Sequence, residues 1–256
     1  MNLTDKVILV TGGTSGIGEA CSRHFASLGA RVVIGSNQQE RGAALEKELR
    51  DAGGETRFFF TDVAHEESVQ ALVRQALDSY GRLDAVHCNA GVWGQGKVAE
   101  FDEAAWDKIM GVNVKSVFWT AKHAMPALEQ QGQGVFLITT SVAAFIGFPQ
   151  HALYCASKGA LESLVRCLAA DHAGKVRVVG ICPGTIDTPM LAATCAGWDK
   201  PVAELYADVA RRIPVRRLGQ PIDVARTAAF LISDEAGYIN ATSIVLDGGT
   251  LALPPW

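Results

Sequence analysis

The stretch VILVTGGTSGIG, Val7 to Gly18, decides the fold. Val7–Val10 is a short β-branched run and reads as a strand. It ends at Thr11-Gly12-Gly13, and Ile17–Leu28 follows as a helix stopped by Gly29. In such a strand–loop–helix unit, Gly12 permits the tight turn, Gly16 lets the backbone approach a pyrophosphate, and Gly18 lets the helix lie close on the sheet. The helix N-terminus then offers free N–H groups and the positive end of its dipole to phosphate. Gly12, Thr14, Ser15, Gly16, Ile17 and Gly18 are therefore the candidate cradle for a dinucleotide. The bland alternative is an ordinary tight loop.

The rhythm continues outward from this unit. Arg31–Gly35, Arg57–Phe60, Ala85–Cys88, Gly134–Thr140, Val176–Ile181 and Ser243–Leu246 read as further strands. Helical patterns over Gln39–Ala52, Glu66–Tyr80, Ala104–Leu128, Tyr154–His172 and Pro221–Ser233 separate them, and Thr188–Arg212 reads as irregular or helical. Short apolar strands alternating with helices predict βαβ units around a parallel sheet. Strands that are apolar throughout suit a sheet covered on both faces. The expectation is one α/β domain over 1–256, a doubly wound, Rossmann-like parallel sheet of seven strands with helices on both faces. No Pro/Gly/Ser-rich break supports a division into two small domains.

Composition narrows the function. The 256 residues are 48% hydrophobic and 20% charged, which excludes a fully disordered chain. Lys and Arg number 23 against 27 Asp and Glu, a formal net charge of −4, a poor basis for binding nucleic acid through its phosphates. No run of 18 apolar residues exists, so no membrane span or membrane partner is expected. Met1–Lys6 is short and polar and predicts no signal peptide. The six cysteines, Cys21, Cys88, Cys155, Cys167, Cys182 and Cys195, form no CxxC pair, and most have apolar neighbours. They read as buried free thiols of a cytoplasmic protein. The six histidines show no metal-ligand spacing, so no metal is expected.

The strongest chemical signal is Tyr154-Cys155-Ala156-Ser157-Lys158. Tyr154 and Lys158 are one helical turn apart and share a face. A phenol of ordinary pKa, about 10, is a poor acid–base group at neutral pH. A neighbouring ammonium is expected to stabilise the phenolate and lower that value, so that the pair exchanges a proton with an alcohol or carbonyl oxygen. Ser141 follows the strand Gly134–Thr140 and could hold that oxygen beside Tyr154. Ser36 occupies the end of the second strand, where a carboxylate would select NAD by binding the ribose 2′-OH. Ser36 is not acidic, and neither Ser36 nor Asn37 is basic. With Arg41 nearby, or simply solvated, the reading favours NADP(H) over NAD(H) and leaves both open.

The glycine spacing, the Tyr154/Lys158 pair and Ser141 together resemble the short-chain dehydrogenases/reductases along nearly the whole chain. The resemblance implies a Ser141–Tyr154–Lys158 catalytic set with Asn113 as its fourth member, orienting a water that links Lys158 to solvent. It implies that Lys158 holds the nicotinamide ribose, that Asp62 and Val63 bracket the adenine, and that Asn89-Ala90-Gly91 lies under the adenine ribose. Pro183, Gly184, Ile186 and Thr188 would contact the nicotinamide carboxamide and phosphate. Cys88, Ser116, Val179 and Asn240-Ala241 depart from the family's usual residues without touching this set.

The segment 188–212 resembles the family's substrate lid. Trp93, Phe148, His151, Met190 and Trp198, with Ser141, are candidate pocket residues for a mainly apolar or cyclic alcohol or ketone. His151 lines the mouth or caps the Tyr154 helix. The run Arg211, Arg212, Arg216 and Arg217 reads as solvated charge, or as attraction for an anionic substrate or an acyl carrier. The implied assembly is a homotetramer; apolar excess on Ala104–Leu128 and Tyr154–His172 and the apolar tail Leu251–Trp256 suit contacts between copies. The expected function is hydride transfer between NAD(P) and a secondary alcohol or ketone. The alternatives are a 3-oxoacyl-carrier-protein reductase and, in another class, a non-catalytic dinucleotide-binding scaffold or sensor.

Overall fold

The computed structural model describes residues 1–195 and 200–252. Seven parallel strands form one sheet in the order β3-β2-β1-β4-β5-β6-β7. They are β1 (Val7–Thr11), β2 (Arg31–Ser36), β3 (Thr56–Phe60), β4 (Ala85–Cys88), β5 (Gly134–Thr139), β6 (Val176–Pro183) and β7 (Thr242–Leu246). The connecting helices are α1 (Gly16–Ser27), α2 (Gln39–Asp51), α3 (Glu66–Tyr80), α4 (Glu103–Met110), α5 (Ser116–Gln130), α6 (Ala152–Asp171), α7 (Pro189–Cys195), α8 (Val202–Arg212) and α9 (Pro221–Ile232). The strand count and the layers are those expected from the sequence.

Alternation along the strands splits the core in two. Ile8 and Val10 of β1 join Phe25, Leu137, Ile181 and the alanine-rich α9 on one face. Val7 and Leu9 join Leu72, Met125, Phe136, Leu161 and Val165 on the other. Burying each such side chain contributes about 1.5–3 kcal/mol. Thr11 of β1 stands opposite Gly35 of β2 on one side and Cys88 of β4 on the other. The chain reverses its winding direction between these neighbours, which opens a crevice at the carboxyl rim of the sheet.

Four local features refine or correct the sequence reading. The single helix over Ala104–Leu128 is two helices joined by a π-helical turn, Gly111–Lys115. Ser116 Oγ donates to the Val112 carbonyl at 2.6 Å within this distortion, and the turn carries Asn113 into the interior, fully buried. A π turn adds a residue to one helical turn and so re-aims a side chain. Second, Thr188–Arg212 contains two defined helices, α7 and α8; Trp198 lies outside the described residues, as do 253–256 of the apolar tail. Third, only Cys21, Cys88 and Cys182 are buried, while Cys155 and Cys195 are half-buried and Cys167 is exposed, since helix geometry turns them outward. Fourth, Ala241, where the family favours glycine, keeps a left-handed backbone at φ 57. The conformation costs an L-residue about 1–2 kcal/mol, and Asn240 Oδ1, accepting from Val178 N at 2.8 Å and Ala241 N at 2.9 Å, helps to hold it.

His87 sits fully buried in β4, its Nε2 2.8 Å from Thr139 Oγ1, and burial pushes its imidazole down to about 3. The unfolded chain binds that proton near the ordinary value of about 6.5. The unfolded state therefore holds more protons below that pH, and stability falls as pH drops from about 6.5 toward 3. Between pH 7 and 4.5 we expect the wild type to lose about 2–3 kcal/mol more than His87→Gln in urea unfolding. Equal losses in the two proteins would remove His87 as the cause.

Candidate active site

The glycine loop is stitched to its surroundings at van der Waals limits. Gly12 has φ 65, and a Cβ there would stand 2.9 Å from Ala90 Cα. Gly16 has φ 52, with Thr188 Cγ2 3.2 Å from its Cβ position. A Cβ on Gly18 would lie 2.2 Å from the Gly12 carbonyl oxygen and 2.5 Å from Asn89 Nδ2. Asn89 Nδ2 donates to the carbonyls of Thr11 and Gly12 at 3.3 Å each, and the Asn89 and Ala90 amides donate to Thr11 Oγ1. Ser15 is the N-cap of α1 and its side chain caps nothing, so the first-turn N–H groups are free for an anion. A cradle that any Cβ would fill, beside an uncapped helix N-terminus, fits a dinucleotide diphosphate. Thr188, which also caps Leu191 N at 3.3 Å, brings the root of α7 to the same place.

At the end of β2 the buried Ser36 hydroxyl lies 2.7 Å from Thr14 Oγ1, which donates to Gln38 Oε1 at 3.2 Å. Gln38 gave no sequence signal, because its role comes from the turn after β2. Asn37 is exposed, and Arg41 pairs with Glu19 at 3.2 Å. Asp62 closes a turn through Ala64 N at 3.0 Å, and the N-cap of α3 is His65, so Asp62 does not cap that helix. Val63 is buried beside it. At the end of β6, Gly184 donates to the Leu246 carbonyl at 2.9 Å, and Ile186 bridges to Gly219.

The residues expected to carry the proton gather at the same rim. Ser141 precedes the 3₁₀ turn Val142–Ala144, and its Oγ accepts from Ala143 N at 3.1 Å, leaving its own proton to donate. Tyr154 lies in the first turn of α6, and its hydroxyl has Ser141 as hydrogen-bond partner. Lys158 is one turn on; its Nζ donates to the Thr139 carbonyl at 2.9 Å and stands 5.8 Å from the Tyr154 ring centroid. Asn113 Oδ1 accepts from Val92 N at 2.8 Å, and its Nδ2 donates to the Val92 carbonyl and to Ser157 Oγ at 3.0 Å each. Ser157 in turn donates to the Tyr154 carbonyl at 2.7 Å. Asn113 Oδ1 and Lys158 Nζ meet at Gly91, 3.5 and 3.7 Å from its Cβ position. Thr139 and Ser157 are partners that sequence reading missed, though Ser157 lies inside the Tyr154–Lys158 motif.

One electrostatic expectation is corrected. The Tyr154 phenol is pushed up to about 12, chiefly by burial, against the Ser141 hydrogen bond that favours its ionised form; the Cys155 and Cys182 thiols add to the rise. Taking a phenolate out of water outweighs what the Ser141 hydrogen bond returns. The same burial pushes Lys158 down to about 8. At neutral pH the phenol therefore holds its proton, the form that can give it to a carbonyl oxygen.

Among the pocket candidates, the Trp93 ring lies 4.4 Å from the His151 ring and 4.5 Å from the Tyr154 ring, centroid to centroid. Phe148 meets His151 edge-on at 6.5 Å. His151 occupies the N-cap position of α6, but its side chain caps nothing; Nδ1 lies 2.5 Å from the Pro149 carbonyl. Met190 is exposed on α7. Of the arginine run, Arg211 pairs with Asp208, and Arg217 with Asp223 at 2.6 Å.

The chain matches, over residues 12–250, a family model described as Enoyl-(Acyl carrier protein) reductase. It is 37% identical over 254 residues to an uncharacterized oxidoreductase of Thermotoga maritima, covering 99% of this chain and 100% of that one. It is 36% identical to the 2-(S)-hydroxypropyl-CoM dehydrogenase 3 of Xanthobacter autotrophicus, covering 98% of each. The crystal structure of a single-substitution variant of actinorhodin polyketide ketoreductase with NADPH superposes with a TM-score of 0.91 at 30% identity, covering 96% of this chain and 97% of that one.

Proposed function

Because the chain belongs to the short-chain dehydrogenase/reductase family and has that family's NAD(P)-dependent oxidoreductase activity, we propose that Tyr154 is its acid–base group and that its substrate is a mainly apolar or cyclic secondary alcohol or ketone. The carrying observation is the convergence of the Tyr154 phenol, the Ser141 hydroxyl and the Lys158 ammonium beside Gly91 and the glycine loop.

The cofactor supplies the hydride when bound. Ser141 and Tyr154 hold the substrate oxygen as negative charge grows on it, and Tyr154 passes it a proton. Lys158, its proton affinity lowered by burial, resupplies the phenol. Asn113 has spent both amide hydrogens on protein partners, so a relay water would sit at the remaining lone pair of Oδ1. In oxidation the steps reverse: Tyr154 first yields its proton to the neutral Lys158 amine and then, as phenolate, takes the alcohol's proton. Trp93, Phe148, His151 and Met190 supply apolar and aromatic surface to the pocket. We infer NADP(H) over NAD(H), since no carboxylate at Ser36 repels a 2′-phosphate.

The experiment is a panel read by reduced-nicotinamide absorbance with both cofactors. Turnover of cyclohexanol and cyclohexanone, faster with NADP(H), is expected. Strict NADPH use with acetoacetyl thioesters as the best substrates would favour a carrier-protein reductase, the reading that the exposed Arg212 and Arg216 would serve. Silence across the panel would leave a dinucleotide-binding scaffold.

No helix among the described residues is long and apolar enough to cross a membrane. We infer a cytoplasmic protein without nucleic-acid or membrane partners, from its free cysteines and its acidic balance. We also infer a homotetramer: Trp106 and Phe118 are 52% and 55% exposed on α4 and α5, apolar surface that a second copy would cover. Sedimentation showing only monomer at micromolar concentration would reject it.

A further inference from the structure

We propose that Trp93 is a specificity-determining residue. Its indole is a fixed hydrocarbon wall on one side of the Tyr154 hydroxyl, and the substrates it admits are ketones and secondary alcohols with one short substituent, the longer apolar one lying away from the wall. This role rests on the reading of Tyr154 as the proton carrier and narrows the substrate class of that same site.

The indole is held from several sides. Its ring lies 4.5 Å from the Tyr154 ring and 4.4 Å from the His151 ring, tilted by 50° to each. Phe148 in turn meets His151 edge-on, and His151 Nδ1 is anchored 2.5 Å from the Pro149 carbonyl. The chain before the indole is fixed by the two Asn113 bonds to Val92. The chain after it runs against α4, where a Cβ on Gly94 would stand 2.2 Å from Ile109 Cδ1. Gly96 N then donates to the Gln150 carbonyl at 2.7 Å, and Gly96 pairs with His151 as a β-bridge. A ring packed and tied in this way has no free space into which to swing for a bulky group.

What the wall presents is carbon. Trp93 is half-buried, and the part out of solvent includes Nε1, which has no hydrogen-bond partner. The indole surface that remains open is therefore apolar. A ketone whose oxygen rests on the Tyr154 hydroxyl carries one substituent to each side of that oxygen. On the indole side the space is bounded by a ring already in contact with the phenol. Elsewhere at the rim the apolar groups are less constrained. Phe145 is exposed and its ring meets no other among the described residues, and Met190 is exposed on the short α7. The longer substituent takes that side.

The test is reduction of methyl hexyl ketone, ethyl pentyl ketone and propyl butyl ketone by the full chain, with whichever of NADPH and NADH it uses faster. The three isomers have the same composition and differ in the length of the shorter substituent, so their total apolar surface is matched. In the wild type kcat/KM falls by about tenfold or more at each step of that series, the effect of one methylene against a fixed apolar wall. In Trp93→Ala the three values come within about threefold of one another, because the wall that rejected the extra methylenes is gone. A general loss of stability would instead lower all three alike and leave their ratios unchanged. Should Trp93→Ala not fold, Trp93→Phe carries the same test, since its smaller ring makes the fall shallower than in the wild type. A wild type without the preference, or a folded Trp93 variant that keeps the wild-type ratios, overturns the proposal. A wild type that reduces other ketones and none of these three overturns it as well. Silence toward every ketone and alcohol removes the hydride-transfer reading and the wall's role with it.

Discussion

Tyr154→Phe is expected to lower kcat/KM by about 10³-fold or more, at the upper part of what one acid–base group contributes. The substitution removes one oxygen and leaves the ring. The contact with Trp93 at 4.5 Å therefore persists, as does the bond from Ser157 to the residue's carbonyl. Ser141 loses its phenolic partner and still has Ala143 N to hold it. A loss of this size corresponds to about 4 kcal/mol of transition-state stabilisation. Cofactor affinity, read by quenching of tryptophan fluorescence, should stay within a few-fold of wild type, because the glycine loop is untouched. A variant with near-normal turnover would show that the proton comes from elsewhere. A variant that no longer binds the cofactor would show that Tyr154 builds the site and that its lost turnover says nothing about proton transfer.

Gly18→Ala is expected to have the largest effect on the fold and the cofactor site together. Its Cβ would stand 2.2 Å from the Gly12 carbonyl oxygen and 2.5 Å from Asn89 Nδ2. Neither can retreat cheaply. Gly12 is fixed in a left-handed turn and hydrogen-bonded to Gly35, and Asn89 ties β1 to the segment after β4. The helix must therefore lift from the sheet, which loosens Cys21 and Phe25, both fully buried. We expect about 2–4 kcal/mol of lost stability, the upper end for overpacking, and at least a tenfold rise in the Kd for NADPH. Gly159→Ala is the control: nothing lies within 4 Å of its Cβ position in α6, so it should be neutral or slightly stabilising. Denaturant midpoints and cofactor titration read both; equal behaviour of the two variants would refute the close-packing account.

The sheet was legible in the sequence because a doubly wound strand is buried on both faces and so mostly apolar; Val7–Val10 carries that signal at every position, and Ala85–Cys88 and Val176–Ile181 carry it despite His87 and Arg177. The glycine loop was legible because only glycine suits Gly12, Gly16 and Gly18. The π turn at Asn113 was hidden, since one added residue inside a helix leaves the apolar pattern of Ala104–Leu128 almost unchanged. The proton affinity of Tyr154 was misread for a related reason: its one-turn spacing from Lys158 is visible, whereas its burial under Trp93 depends on two loops meeting across the rim. The partners of Ser36, Thr14 and Gln38, likewise follow from a turn and not from the residue types.

The carboxyl rim has a consequence for how such a protein could be dismantled. The proposed diphosphate cradle comes from the first βα unit, Asn113 from the middle of the chain, the proposed proton carriers from the connection between β5 and β6, and Thr188 from beyond β6. No contiguous half holds both a seat for the nucleotide and a group to act beside it. A gene cut between β5 and α6 would encode two inert fragments, and any recovery of turnover would require them to rebuild the entire seven-stranded sheet.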